Sequence, residues 1–115
     1  EGMYAVITIP FPYLDEASQP IRFWANKYKT RFGDDPSTYS AGGYQAIDLF
    51  IRAAQKAGPN LTTDSFIKAM DTMVIPADIF GSPEARFGPQ KRLGNEFSRL
   101  SQLQDARWKV VSDLR

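Results

Sequence analysis

A chain of 115 residues suits one domain, which at that size buries roughly 65% of the surface its extended form exposes. With 43% hydrophobic and 23% charged residues it has a globular composition rather than a disordered one, and 14 Lys and Arg against 13 acids leave a net charge of +1, too little to draw nucleic acid or an anionic membrane. It has no histidine and no cysteine, which removes the usual general base near neutral pH, the thiolate nucleophile and nearly all zinc sites, so no catalytic residue, metal or cofactor is nominated.

The first segment, Tyr4-Ala5-Val6-Ile7-Thr8-Ile9, is β-branched and aromatic and is closed by Pro10 and Pro12, so it reads as a short buried strand. The apolar stretch around it, Met3 to Ile9, is far short of the roughly 20 residues of a membrane-spanning helix. The chain opens on Glu1-Gly2 and runs directly into this strand with no charged leader, which leads us to expect a piece of a longer protein. Ile21, Trp24, Ala25, Tyr28 and Phe32 then recur along one helical face, with a stop near Gly33.

Pro36-Ser37 marks a second start, and from about Tyr39 to Ala57 an apolar stripe runs through Tyr44, Ile47, Phe50, Ile51 and Ala54 before Gly58-Pro59. Gly42-Gly43 inside this helix predicts an irregular first turn or a close approach by another backbone, since each glycine costs about 1 kcal/mol relative to alanine there. Thr62 is placed to cap a third helix that ends near Met73, with Leu61 and Phe66 spaced as a hydrophobic staple. Beyond Val74, Pro76, Gly81, Pro83, Gly88, Pro89 and Gly94 punctuate a turn-rich segment. Phe97, Leu100 and Leu103 fit a helix or a strand equally, Trp108-Lys109-Val110 reads as strand, and Asp105-Ala106 sits where a tight hairpin prefers Asp-Gly.

The run from Phe32-Gly33-Asp34-Asp35-Pro36-Ser37 through Thr38-Tyr39-Ser40-Ala41-Gly42-Gly43-Tyr44-Gln45-Ala46 resembles the helix-turn-helix passage of periplasmic binding proteins of the leucine/isoleucine/valine-binding family. The resemblance continues in Gly2 to Pro12 (a late strand and the loop leaving it), in Ala57 to Thr62 (a helix-loop-helix junction), in Phe80 to Gly88 (a short β segment) and in Ser101 to Trp108 (a terminal hairpin). It implies an α/β fold, a C-terminal fragment of a type I periplasmic binding protein: a strand, three helices, then short β segments and a terminal hairpin, with the parallel sheet incomplete. By chain order, residues 1–12 would be strand and crossover, 13–73 the helical part of the first lobe, and 74–115 the β segments and hairpin.

The same resemblance implies a noncatalytic, extracytoplasmic substrate-binding component of an ABC transporter, periplasmic or at the cell surface, whose signal peptide would lie in the missing N-terminal part. Its partners would be a branched-chain amino acid or similar small amino or organic acid and the membrane permease, with no nucleic acid. A ligand-sensing domain of the same fold, or a helical protein-interaction module, are the rival readings. Tyr39 is the ligand contact the resemblance nominates, as an aromatic wall at the mouth of the first lobe; the alternative is that it packs under the preceding loop. Ser40 and the backbone N–H groups of Ala41 and Gly42 sit at a helix N-terminus that favours a carboxylate, against ordinary capping. Phe11, between two prolines, lines either the cleft or the hinge.

Tyr44, Trp24, Phe50 and Trp108 are expected in the core, Arg86, Lys91 and Arg92 on a solvated edge, and Asp34-Asp35 in a turn. Without its other lobe the chain would leave apolar faces and a strand edge uncovered, and would self-associate.

Overall fold

A computed structural model describes residues 1–115. The elements run β1 (Tyr4–Ile7), α1 (Gln19–Phe32), α2 (Thr38–Ala57), α3 (Thr63–Thr72), β2 (Val74–Ile75), β3 (Ala85–Arg86), β4 (Arg99–Gln104) and β5 (Arg107–Val110). They divide into two compact units. One holds residues 1–42, 79–82 and 97–115; the other holds 43–78 and 83–96. The helical block expected over 13–73 is therefore split, with α1 grouped with β1 and the terminal strands.

In the first unit, β1, β4 and β5 form a three-stranded antiparallel sheet in the order β1-β4-β5, with Ala5 opposite Ser101 and Ser101 opposite Val110. The ambiguity over 97–104 is resolved as strand from Arg99 onward, with Phe97 in the irregular chain before it, because β4 is the middle strand and has ladder partners on both sides. The turn at Asp105-Ala106 has φ of 56° and 59°, both left-handed, as a two-residue hairpin loop requires. β1 departs from expectation: it is not buried, and Tyr4 and Val6 are 61% and 71% exposed. It is an edge strand, and its alternate residues point to a face that nothing in the unit covers, while Ala5 and Ile7 point inward.

α1 starts with Pro20 in its first turn and stops at Gly33, whose φ of 83° lets its N–H reach back to the Lys29 carbonyl at 2.8 Å. Lys29 and Arg31 in the last turn oppose the negative end of the helix dipole. Its inward face buries Ala25 completely and sets Trp24 edge-on against Phe80 at 5.0 Å between ring centroids. Phe80 is itself 1% exposed, and the Arg99 guanidinium donates to the carbonyl of the next residue, Gly81. The short segment 79–82 is thus pinned to this unit by one ring and one cation.

The loop from Ile9 to Ser18 is tied to the terminal hairpin by a cluster around Arg107. Its guanidinium makes two bonds of 2.7 Å to the Asp15 carboxylate and lies 4.1 Å from the centre of the Tyr13 ring, while the Tyr13 hydroxyl accepts the Trp108 N–H at 2.7 Å.

In the second unit, α3 is capped as its sequence indicates. Thr62 Oγ1 accepts the Ser65 N–H at 3.1 Å and Ser65 Oγ accepts the Thr62 N–H at 2.9 Å, a reciprocal box. Phe66 lies against Phe50 of α2, with centroids 5.2 Å apart. β2 and β3 form a two-residue antiparallel pair, Val74 opposite Arg86, and the turn beyond closes through a Gly88–Lys91 bridge. Arg86 pairs with Glu84, Lys91 with Glu96, and Arg92 with Asp71 at 2.6 Å, so the three cations do form a solvated edge.

The expected core placement of Tyr44 and Phe50 is not met. Both are 50% exposed, and Ile47 and Ile51 beside them are also exposed. The stripe on α2 is real, but within this unit α3 covers only part of it. Among the fully or nearly buried hydrophobic residues only Met73 and Phe80 are larger than alanine. No helix is long and apolar enough to cross a membrane.

Alanine in a left-handed conformation costs about 1 to 2 kcal/mol, part of which glycine returns as unfolded-state entropy, so Ala106→Gly should stabilise the chain by about 1 kcal/mol and raise Tm. A lower Tm would mean that the turn does not hold Ala106 at positive φ. The Arg107 hydrogen bond depresses the Asp15 carboxyl below its ordinary value of 3.8. A depressed acid contributes stability above its unfolded pKa and loses it as pH falls through the folded one. The Tm gap between the parent and Arg107→Ala should therefore be steady above pH 3.8 and narrow below it; a gap unchanged in acid would assign the effect to packing alone.

Candidate functional site

The four nominated residues all lie in the first unit. Phe11 is half-buried in the loop after β1, its ring 4.5 Å from that of Tyr13, and Pro12 beside it is fully buried. Because Tyr13 is held by Arg107 and Trp108, Phe11 is anchored through it to the terminal hairpin. The same loop passes close to the start of α2: a Cβ built on Gly42 would stand 3.7 Å from Ile9 Cδ1.

Tyr39, Ser40 and Ala41 form the first turn of α2. The turn is built by Pro36, which is fully buried, and by Ser37 and Ser40 acting on each other. The Ser37 N–H donates to Ser40 Oγ at 3.1 Å and the Ser40 N–H approaches Ser37 Oγ at 3.4 Å, the reciprocal pattern of a capping box. Ser40 therefore uses its hydroxyl in capping. The donor expected at Ala41 is also taken, because its N–H is given to the Ser37 carbonyl at 3.1 Å and its side chain is completely buried. Tyr39 is the opposite case. It does not pack under the preceding loop; it is 89% exposed, held outward by a turn whose other members are fixed.

The polar chemistry around these residues is structural. Asp35, at the approach to α2, is paired with Lys29, and no three acidic side chains are grouped where they could hold a metal ion. The Asp15 carboxyl is lowered by its bond to Arg107 and the Arg107 guanidinium is raised by the same bond, so both stay charged and neither is poised to exchange protons near neutral pH. The turn thus sets an exposed aromatic face beside the positive end of a capped helix. The clamp of Tyr13, Asp15 and Arg107 was not indicated by the sequence: its partners lie 92 residues apart and no local pattern joins Asp15 to Arg107.

Comparison with known proteins gives this geometry a context. A family model described as periplasmic binding protein matches residues 1–107. A branched-chain amino acid ABC transporter protein of Thermus thermophilus with bound valine superposes with a TM-score of 0.77 at 18% identity, covering 100% of this chain and 33% of that one. A solute-binding protein of an ABC transporter from Rhodopseudomonas palustris BisB5, in complex with 3,4-dihydroxybenzoic acid, gives 0.71 at 22% identity over 96% of this chain and 29% of that one. An ABC transporter substrate-binding protein of Desulfitobacterium hafniense in complex with Leu gives 0.66 at 19% identity, with 96% and 31% covered. The chain thus spans about a third of the length of these structures, and at such identities they establish its fold. No curated protein sequence matches the chain. The family and its solved neighbours are transport binding proteins, not enzymes. Matched along nearly its whole length by that model, this chain belongs to the periplasmic binding protein family and has the type I fold of the substrate-binding proteins of branched-chain amino acid ABC transporters.

Proposed function

We propose that the chain forms part of an extracytoplasmic solute-binding protein that delivers a branched-chain amino acid or a similar small amino or organic acid to the permease of an ABC transporter. Ligand stabilises the closed arrangement of two lobes, and the permease responds to closure. The two units of this chain are its portions of the two lobes.

The observation that carries this reading is Tyr39, an exposed ring fixed on the first turn of a capped helix. Valine, leucine and dihydroxybenzoic acid, the ligands of the three superposed proteins, each join a carboxylate to an apolar or aromatic body. An aromatic face beside the positive end of a helix dipole suits both halves of such a molecule. Tyr39 supplies the wall, Ser40 and Ala41 hold its turn and align the dipole, and Phe11 lines the adjoining loop.

In the full-length parent, a ligand from a panel of amino and aromatic acids should raise stability by about 2.7 kcal/mol at 100 times its Kd. Tyr39→Ala should weaken that ligand by about 1 to 3 kcal/mol, seen as a smaller thermal shift at the same concentration. If no member of the panel shifts the parent, the rival reading of a helical interaction module gains and this one fails. The 115 residues alone carry only one wall, so calorimetry should find no micromolar binding to them.

The uncovered faces make a second outcome measurable. Tyr4 and Val6 on the edge strand and the Tyr44-Ile47-Phe50-Ile51 stripe on α2 should drive the isolated chain to dimers or larger species in light scattering. A clean monomer across the accessible concentration range would contradict this.

A further inference from the structure

Phe11 is fixed both at its backbone and at its ring. Pro10 and Pro12 stand on either side of it and limit its dihedrals, and the Tyr13 N–H donates back to the Phe11 carbonyl at 3.1 Å across the fully buried Pro12. This turn brings the two rings together, with centroids 4.5 Å apart and planes tilted by 38°. Tyr13 is held in its turn: the Arg107 guanidinium lies 4.1 Å from its ring centre and its hydroxyl accepts the Trp108 N–H at 2.7 Å. Two bonds of 2.7 Å to Asp15 then orient the guanidinium. A single line of contacts thus runs from Asp15 through Arg107 and Tyr13 to the Phe11 ring.

The carboxylate is 71% exposed and the guanidinium 37%, and an ion pair so open to water adds little stability. What a planar, two-bonded pair does supply is direction. At the other end of the same loop, Ile9 Cδ1 lies 3.7 Å from where a Cβ on Gly42 would stand, and Gly42 is three residues from Tyr39 on one helix surface. The loop that carries Phe11 is therefore tied at Ile9 to the helix that carries Tyr39, and at Tyr13 to the terminal hairpin. We propose that Arg107 is a positioning residue of the solute site, which fixes Tyr13 and through it the direction in which Phe11 presents its ring to an apolar or aromatic acid. The inference rests on the reading of Phe11 given above, as part of the lining.

Two measurements on the full-length parent test it. With 4-fluorophenylalanine at position 11, the fluorine resonance should move in Arg107→Ala as the ring leaves its place against Tyr13; an unchanged resonance overturns the proposal. Calorimetry with valine, leucine, benzoate and 3,4-dihydroxybenzoic acid, at a temperature where every variant is folded, gives the second. A ring that must be ordered on binding weakens a ligand by about three- to tenfold, and Arg107→Ala should show that loss. In a Phe11→Ala background the same substitution should change Kd by no more than the error of measurement, because the group it acts through is gone. General loosening of the hairpin would weaken the ligand equally in both backgrounds, and that result overturns the proposal. Where Arg107→Ala does not fold, Arg107→Lys gives the same test at smaller amplitude, since it keeps the cation and loses the fork. A parent that binds none of the four acids sinks the transport reading and the proposal together, whereas a parent that binds with no coupling between positions 11 and 107 sinks the proposal alone.

Discussion

Arg107 sits where the beginning and the end of the chain are joined. Its guanidinium is held on one side by the Asp15 carboxylate and on another by the face of Tyr13, whose hydroxyl takes the next backbone N–H along β5. The ion pair is exposed, and an exposed pair by itself contributes little. Its effect comes from geometry: a planar fork meeting a carboxylate with two bonds and stacked on a ring leaves the loop few other positions. That loop leads from β1 to α1, and its residue Ile9 faces the start of α2. The ladder pairing Tyr4 with Gln102 closes the same long loop from the sheet side. The β1–β4 ladder and the Arg107 cluster thus both join residues about ninety or more apart within the first unit.

What could be seen in the sequence was what local chemistry determines. Gly33 ends α1 because only a left-handed residue lets the backbone turn back to Lys29, and Thr62 with Ser65 begins α3 because two hydroxyls satisfy two otherwise idle donors. The motif order around Tyr39 is enough by itself to show the resemblance to the family. Three things were not visible. Whether Leu100 and Leu103 belong to a helix or a strand is decided by β1 and β5, which lie on either side of β4 in space. The Arg107 clamp has no periodic signature. Burial was misjudged for β1, Tyr44 and Phe50 because an apolar pattern tells which face seeks cover, not whether cover is present.

The core explains the pattern of exposure. Ala25, Ala41, Ala53 and Ala69 are buried, and side chains that small cover little apolar area. Many of the large apolar side chains, which carry most of the available hydrophobic free energy, are exposed instead: Phe23 and Phe32 on α1, Ile47, Phe50 and Ile51 on α2, and Tyr4 and Val6 on β1. In a chain that spans about a third of the structures it superposes on, this is the distribution expected of elements shaped to pack on a larger sheet.

The first turn of α2 shows how a ring can be held in the open without loss of order. Pro36 is fully buried, Ser37 and Ser40 bond each other reciprocally, and Ala41 is enclosed, so the backbone that carries Tyr39 has little freedom although the ring itself is exposed. In the proposed binding role that order matters, because a ring whose backbone is already fixed has less entropy to lose when a ligand packs on it.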